Sequence, residues 1–325
     1  MTTTPSGREP NPRTRPARRL TASAAALALA LVTAAVPAAA GASPLGSLAP
    51  LTPCDGPAPR VATFGEAGTP VLGWRENLAF DGRGRMWVTS LLGDRVEAFD
   101  STGHRVASVP VVAPGGVAVT PAGEVAVVTG ASPTSTRSTI VAFDPDAADP
   151  IPRLVATVPA GKNGLAVDAD GNMYTTGVLA PTVIKVRPDG SIDEEWSARA
   201  AIVGSNGIAI RDRTAFVTVT TSVDTAVHEV PLDDPAASRA TALTRPPALP
   251  RGLDDLAVTD RAIYAVAFTG GEVLRIDRAS GAACVLAGGI PAPTSVRVAE
   301  GFGGFGPTDL FVTSADGSTR HIATT

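Results

Sequence analysis

The chain has 325 residues, 44% of them hydrophobic, with 27 Lys and Arg against 31 Asp and Glu for a formal net charge of −4. An acidic balance of this kind argues against nucleic acid or an anionic membrane surface as a partner. With 33 Gly, 29 Pro and no amphipathic helical stretch of useful length beyond the first segment, the composition suits many short strands joined by turns.

The first segment carries Arg8, Arg13, Arg15, Arg18 and Arg19, then an Ala/Leu/Val run from Leu20 to Ala35, then Pro37 and the small residues 38–42. The run is shorter than the roughly 20 residues that a spanning helix needs and ends in A-x-A cleavage candidates. Residues 1–42 are therefore expected to be a secretion signal cleaved near Ala40 or Ala42, which makes the mature chain secreted and extracellular. Arg18-Arg19 leaves a twin-arginine export route open. Cleavage would remove 5 basic residues and 1 acidic one, leaving 22 against 30, a net charge near −8 and about 283 residues. Residues 43–59, rich in Pro, Gly, Ser and Ala, read as a flexible linker. Cys54 and Cys284 are the two cysteines, and a disulfide is the leading reading for an exported chain. Neither has the Cys or His neighbours of a zinc site.

From residue 60 onward one plan repeats. Six copies of a short apolar strand are each led by a small or polar residue: Glu76 in ENLAF, Gly115 in GGVAV, Asn163 in NGLAV, Asn206 in NGIAI, Asp254 in DDLAV and Thr294 in TSVRV. The steps between them are 39, 48, 43, 48 and 40 residues, the period of a propeller blade. Each inner strand is followed by a D-x-G-type turn and a second strand, as in Asp81-Gly-Arg-Gly-Arg-Met-Trp-Val-Thr. Third strands run over Arg95 to Asp100, Ile140 to Asp144, Val183 to Arg187 and Glu272 to Asp277, and fourth strands over Val106 to Val109, Leu154 to Val158 and Cys284 to Ala287. The last unit stops after a third strand near Arg320 to Ala323, while strand Arg60 to Phe64 precedes the first unit. The expected fold is all-β, a six-bladed β-propeller over residues 60–325 whose N-terminal strand closes the last blade.

In a closed ring the leading residues share one mouth of the central channel. Glu76, Asn163, Asn206 and Asp254 then form an oxygen-only set with a formal charge of −2, suited to a divalent metal. Calcium is favoured, with magnesium or manganese as alternatives. Taken singly, each has a plainer role: the two Asn-Gly pairs as turn dipeptides, Glu76 and Asp254 as charges at strand entry. Asp255 and Asn77 rank below them as a further ligand or a supporting group. His104, His228 and His321 fall in turns or outer strands, and no Ser-His-Asp spacing is present.

This column, the run NGLAVDADGNMY and the last unit's PTSVRVAEGFGGFGPTDLFVTSADG resemble the six-bladed regucalcin and gluconolactonase family, related in architecture to paraoxonases. In that family a Glu of the first blade, Asn residues of the third and fourth and an Asp of the fifth surround a catalytic divalent metal, and those places hold Glu76, Asn163, Asn206 and Asp254. The resemblance implies metal-dependent hydrolysis of a lactone or ester, with Asp254 as the candidate base or water-positioning group and a small molecule as substrate, in a chain expected to be a monomer. Sugar-lactone hydrolases have a substrate-binding Arg where this chain has Gly161. The alternatives are a noncatalytic propeller of NHL type that binds a partner on a loop face, and a metal-dependent propeller lyase.

Overall fold

The computed structural model describes Met1 and residues 51–324, apart from 133–134, 179–182, 222–224 and 244–250. The expected secretion signal and the linker as far as residue 50 lie outside the described residues, Met1 excepted.

After β1 (Arg60–Thr63), blade 1 comprises β2 (Arg75–Phe80), β3 (Met86–Ser90), β4 (Arg95–Phe99) and β5 (Arg105–Pro110). Blade 2 comprises β6 (Val117–Val119), β7 (Val125–Thr129), β8 (Ser138–Phe143) and β9 (Arg153–Val158). Blade 3 has β10 (Leu165–Val167), β11 (Met173–Thr175) and β12 (Ile184–Val186), followed by a helix α1 (Glu194–Arg199). Blade 4 is β13 (Ser205–Arg211), β14 (Thr214–Val219), β15 (Ala226–Pro231) and β16 (Arg239–Ala242), and blade 5 is β17 (Leu253–Val258), β18 (Ala262–Ala267), β19 (Glu272–Asp277) and β20 (Ala283–Gly288). Blade 6 is β21 (Pro293–Val298), β22 (Leu310–Ser314) and β23 (Thr319–Ala323), with β1 antiparallel to β23 as its fourth strand. The inner strands touch in cyclic order, β2 to β6, β10, β13, β17, β21 and back to β2, so the ring is closed.

The second strand of each blade is covered on both faces, which is why it reads as a near-continuous apolar run, as in β3 and β22. In β18, Ile263, Ala265 and Ala267 pack toward blade 4, while Tyr264 and Val266 pack toward blade 6. Among the described residues the core resolves into six apolar clusters, one per blade interface. At the closing interface Phe64, just past β1, meets Phe311 edge-on at 4.9 Å, an arrangement that suits the ring quadrupoles.

Two local features depart from the repeat. Where the other blades have a fourth strand, blade 3 has α1: Asp193 caps it by accepting from the Trp196 amide at 3.1 Å, and Glu194, Glu195 and Arg199 complement its dipole. Trp196 in α1 packs on Tyr174 and donates Nε1–H to the Leu232 carbonyl at 2.7 Å, so an aromatic plug replaces the missing strand. The second feature concerns the expected linker. Its residues 52–54 run parallel to β20 through Cys54 N–H to Val285 O at 2.9 Å and Val285 N–H to Thr52 O at 2.8 Å. Cys54 and Cys284 form a disulfide with Cα atoms 4.9 Å apart, so the segment before β1 is anchored to blade 5 and then crosses to blade 6.

Candidate functional site

The residues that lead the inner strands sit in a break of the ladder. In blade 1 Arg75 faces Ser90 and Leu78 faces Val88, so Glu76 and Asn77 occupy a β-bulge. The same shift falls between Ser205 and Ile208, Leu253 and Leu256, and Pro293 and Ser295. A bulge leaves an extra residue out of the pairing and re-aims its side chain, which puts Glu76, Asn206, Asp254 and Thr294 in one register at the mouth.

Neighbouring blades are tied together at this level. Thr176, just past β11, and Thr218, in β14, donate to the Asn206 and Asp254 carbonyls, and Thr294 donates to the Arg75 carbonyl at 2.6 Å. The glycine after each leading residue has a related cause. A Cβ at Gly207 would lie 2.6 Å from the Asp254 carbonyl oxygen, one at Gly164 would strike the Asn206 carbonyl, and one at Gly116 would lie 2.7 Å from the Asn163 carbonyl. None of the three has a positive φ, so the Asn-Gly pairs are close-packing sites between blades rather than turn dipeptides. Gly115 is likewise closed, with a Cβ there 2.8 Å from the Asn163 carbonyl oxygen; substitution at this position would therefore reach Asn163 and is not innocuous.

Two pairs form across the mouth. The Asn163 Nδ2 amide donates to Glu76 Oε1 at 2.8 Å, joining blades 3 and 1. The Asn206 Nδ2 amide donates to Asp254 Oδ1 at 2.8 Å, joining blades 4 and 5, and also to Thr220 Oγ1 at 2.9 Å. Each carboxylate thus fixes its amide with the nitrogen toward the acid. The consequence is that Asn163 Oδ1 and Asn206 Oδ1 are buried with no hydrogen-bond partner. Burial, and then the repulsion of neighbouring carboxylates, raises the pKa of both Glu76 and Asp254. Among the described residues no group of three or more His, Cys, Asp or Glu is placed to hold a metal ion, and the oxygen-bearing side chains that meet here are two carboxylates and two amides.

Asp255 and Asn77 lie in a separate layer. Asp255 Oδ2 accepts from Arg297 Nη1 and from Ser295 Oγ, both at 2.5 Å, and Asn77 Oδ1 accepts from the same two side chains at 3.3 Å. Arg297 neutralises Asp255, which leaves Glu76 and Asp254 as the uncompensated acids of the mouth. Trp74 had no signal in the repeat, because it precedes the leading residue by two; it donates Nε1–H to Glu76 Oε2 and stacks on Phe268 of blade 5, with centroids 5.9 Å apart. Lys162, immediately before Asn163, is buried, and burial lowers its pKa to about 8. The three histidines stand elsewhere: His104 contacts Thr102 in an outer turn, His228 is in β15 and His321 in β23 is paired with Asp309.

No family model matches the chain, and no curated protein matches it in sequence. Solved structures do match in shape. A gluconolactonase from Xanthomonas campestris aligns over 86% of this chain and 98% of its own, with 19% identity and a TM-score of 0.60. A luciferin-regenerating enzyme aligns over 82% and 95%, with 15% identity and a TM-score of 0.63. Virginiamycin B lyase from Staphylococcus aureus aligns over 76% and 80%, with 11% identity and a TM-score of 0.53. At these identities the likeness establishes the shared propeller fold.

Proposed function

We propose that the chain is a secreted, divalent-metal-dependent hydrolase of lactone or ester substrates, with the metal at the channel mouth and calcium as the favoured ion. The observation that carries this reading is the pair of orphaned amide oxygens, Asn163 Oδ1 and Asn206 Oδ1, buried beside two carboxylates. A buried acceptor without a donor is destabilising in the protein alone and is satisfied by a hard cation. Two acids and two neutral oxygens match a dication in charge and leave further coordination places for water and substrate.

In this reading Glu76, Asn163, Asn206 and Asp254 hold the ion. When bound, a dication supplies Lewis-acid polarisation of a substrate carbonyl. Trp74 fixes the Glu76 carboxylate through Oε2, and Asn206 fixes that of Asp254 through Oδ1. Asp254 is the candidate base or water-positioning group, and its Oδ2 would take the proton of the attacking water. Proton return from Asp254 to the departing alkoxide completes hydrolysis.

The test is the metal content of the purified chain together with turnover of a panel of lactones and aryl esters, with and without chelator. Hydrolysis that chelator abolishes and calcium restores is expected. Metal binding without turnover of any member would replace the enzyme with the binding-propeller alternative, and elimination products would replace it with a lyase.

A further inference from the structure

The polar side chains of the mouth are engaged with one another, Glu76 with Asn163 and Trp74, and Asp254 with Asn206. Two aromatic rings stand beside them. Trp74, in the connection entering β2, and Phe268, at the end of β18, are half-buried and stack at an interplanar angle of 20°. The two rings bridge blades 1 and 5 across the mouth end of blade 6. Each is fixed by backbone bonds: Leu91 N–H donates to the Trp74 carbonyl at 3.0 Å, and Phe268 N–H donates to the Gly252 carbonyl at 2.9 Å. Because the indole Nε1–H is held by Glu76, the ring edge is bound to the acid and its face is set on Phe268. Exposed aliphatic side chains collect on the same face: Val71, Leu72, Leu92, Val112 and Val203, each at least 44% exposed, all lie in connections at the mouth ends of the strands.

We infer that Trp74 and Phe268 are the specificity-determining residues of the mouth, an aromatic shelf that selects lactones or esters carrying a flat aromatic ring beside the carbonyl. This rests on the hydrolytic reading above. A rigid aromatic shelf beside hard, oxygen-rich ligands divides the site into an apolar half for the substituent and a polar half for the reacting carbonyl, the usual composition of a small-molecule site. Trp74 has a second, positioning role through Glu76.

The experiment uses the full chain loaded with calcium and two ketones that contain no ester bond, so that binding is read apart from turnover. The probes are 2-tetralone, the ring ketone isosteric with the aryl δ-lactone dihydrocoumarin, and cyclohexanone, which lacks the aromatic ring. Calorimetry is expected to show 2-tetralone bound about tenfold more tightly, the scale of one aromatic contact plus the area it covers. Phe268→Ala is expected to reduce that preference to about twofold with calcium affinity unchanged, and Phe268→Leu, which keeps apolar volume without a π face, is expected to lose most of it too. Trp74→Phe keeps a ring and loses the Nε1–H, so it is expected to keep the preference and to bind calcium more weakly; unchanged calcium affinity would overturn the positioning role. Equal binding of the two ketones by the parent, or an unchanged preference in both Phe268 variants, would overturn the shelf. Hydrolysis of dihydrocoumarin is scored separately: ring preference without turnover keeps the shelf and removes the hydrolase, whereas turnover without ring preference does the reverse.

Discussion

The glycines that follow the leading residues offer a test worked directly from contacts. A Cβ on Gly207 would strike Asp255 Cα and lie 2.6 Å from Asp254 O and 2.7 Å from Asp255 Oδ1. These neighbours cannot give way, since two are backbone and the third belongs to a carboxylate paired with Arg297. Gly207→Ala must therefore push β17 away from β13, at about 1–3 kcal/mol for overpacking a closed site. For a domain of this size that is a fall in Tm of roughly 2–12 °C. Gly288→Ala is the control, because nothing lies within 4 Å of a Cβ there and its φ is not positive; its effect should stay within about 0.5 kcal/mol. Differential scanning calorimetry under chelator compares Gly164→Ala and Gly207→Ala with this control. If both melt with Gly288→Ala, the blades are not in the close contact described, and the shared register of the column loses its cause. Because Gly207 abuts Asp254, its variant should also bind calcium more weakly than Gly288→Ala.

Three further outcomes are expected. Glu76 and Asp254 have raised pKa values in the fold, so the stability they contribute is present below the unfolded carboxylate pKa near 4 and is lost as pH rises through the folded values. In chelator, Asp254→Asn should gain Tm over the parent increasingly as pH rises above about 4, and excess calcium should close or reverse that gap; a gap independent of pH would contradict the assignment. Replacing both Cys54 and Cys284 with Ala opens a bridge spanning 230 residues and should lower stability by about 3–5 kcal/mol in urea unfolding, whereas a midpoint equal to the parent's would show that the anchor contributes nothing. Deleting residues 60–63 uncovers β23 and should lower Tm more than deleting residues 43–50, because only the first removes a strand of blade 6; equal losses would refute the closure as a stabilising device.

The ring was legible because a blade is short and repeats. Spacing alone placed the six inner strands, and the surplus strand at one end against the deficit at the other placed β1 on β23. Strand edges such as Glu272–Asp277 were fixed by a turn on one side and an acid on the other. What spacing could not convey was contact between distant segments. The Asn-Gly pairs carry the local signature of a turn, and only the approach of the next blade's carbonyl shows why glycine is required. Asp255 and Asn77 rank below their neighbours in the sequence, as a further ligand or a supporting group, and only the approach of Ser295 and Arg297, alternate residues of β21, shows what they contact. Trp74 lies outside the repeated pattern and depends on the entry loop to reach Glu76. In blade 3 the acids around Asp193 marked the helix locally, but a repeat-based reading expects a strand there.

In the proposed function, four side chains from four blades hold one dication. Calorimetric titration of calcium into the chelator-treated chain, beside its Glu76→Ala and Asp254→Ala variants, measures this directly. One equivalent should bind the parent, and removal of either acid, which leaves a single carboxylate against two positive charges, should weaken binding by at least about tenfold. Asn163→Ala and Asn206→Ala, which remove a neutral oxygen, should lose less. Calcium bound equally well by the parent and by both acid variants would mean that the column is a feature of blade packing and not a metal site.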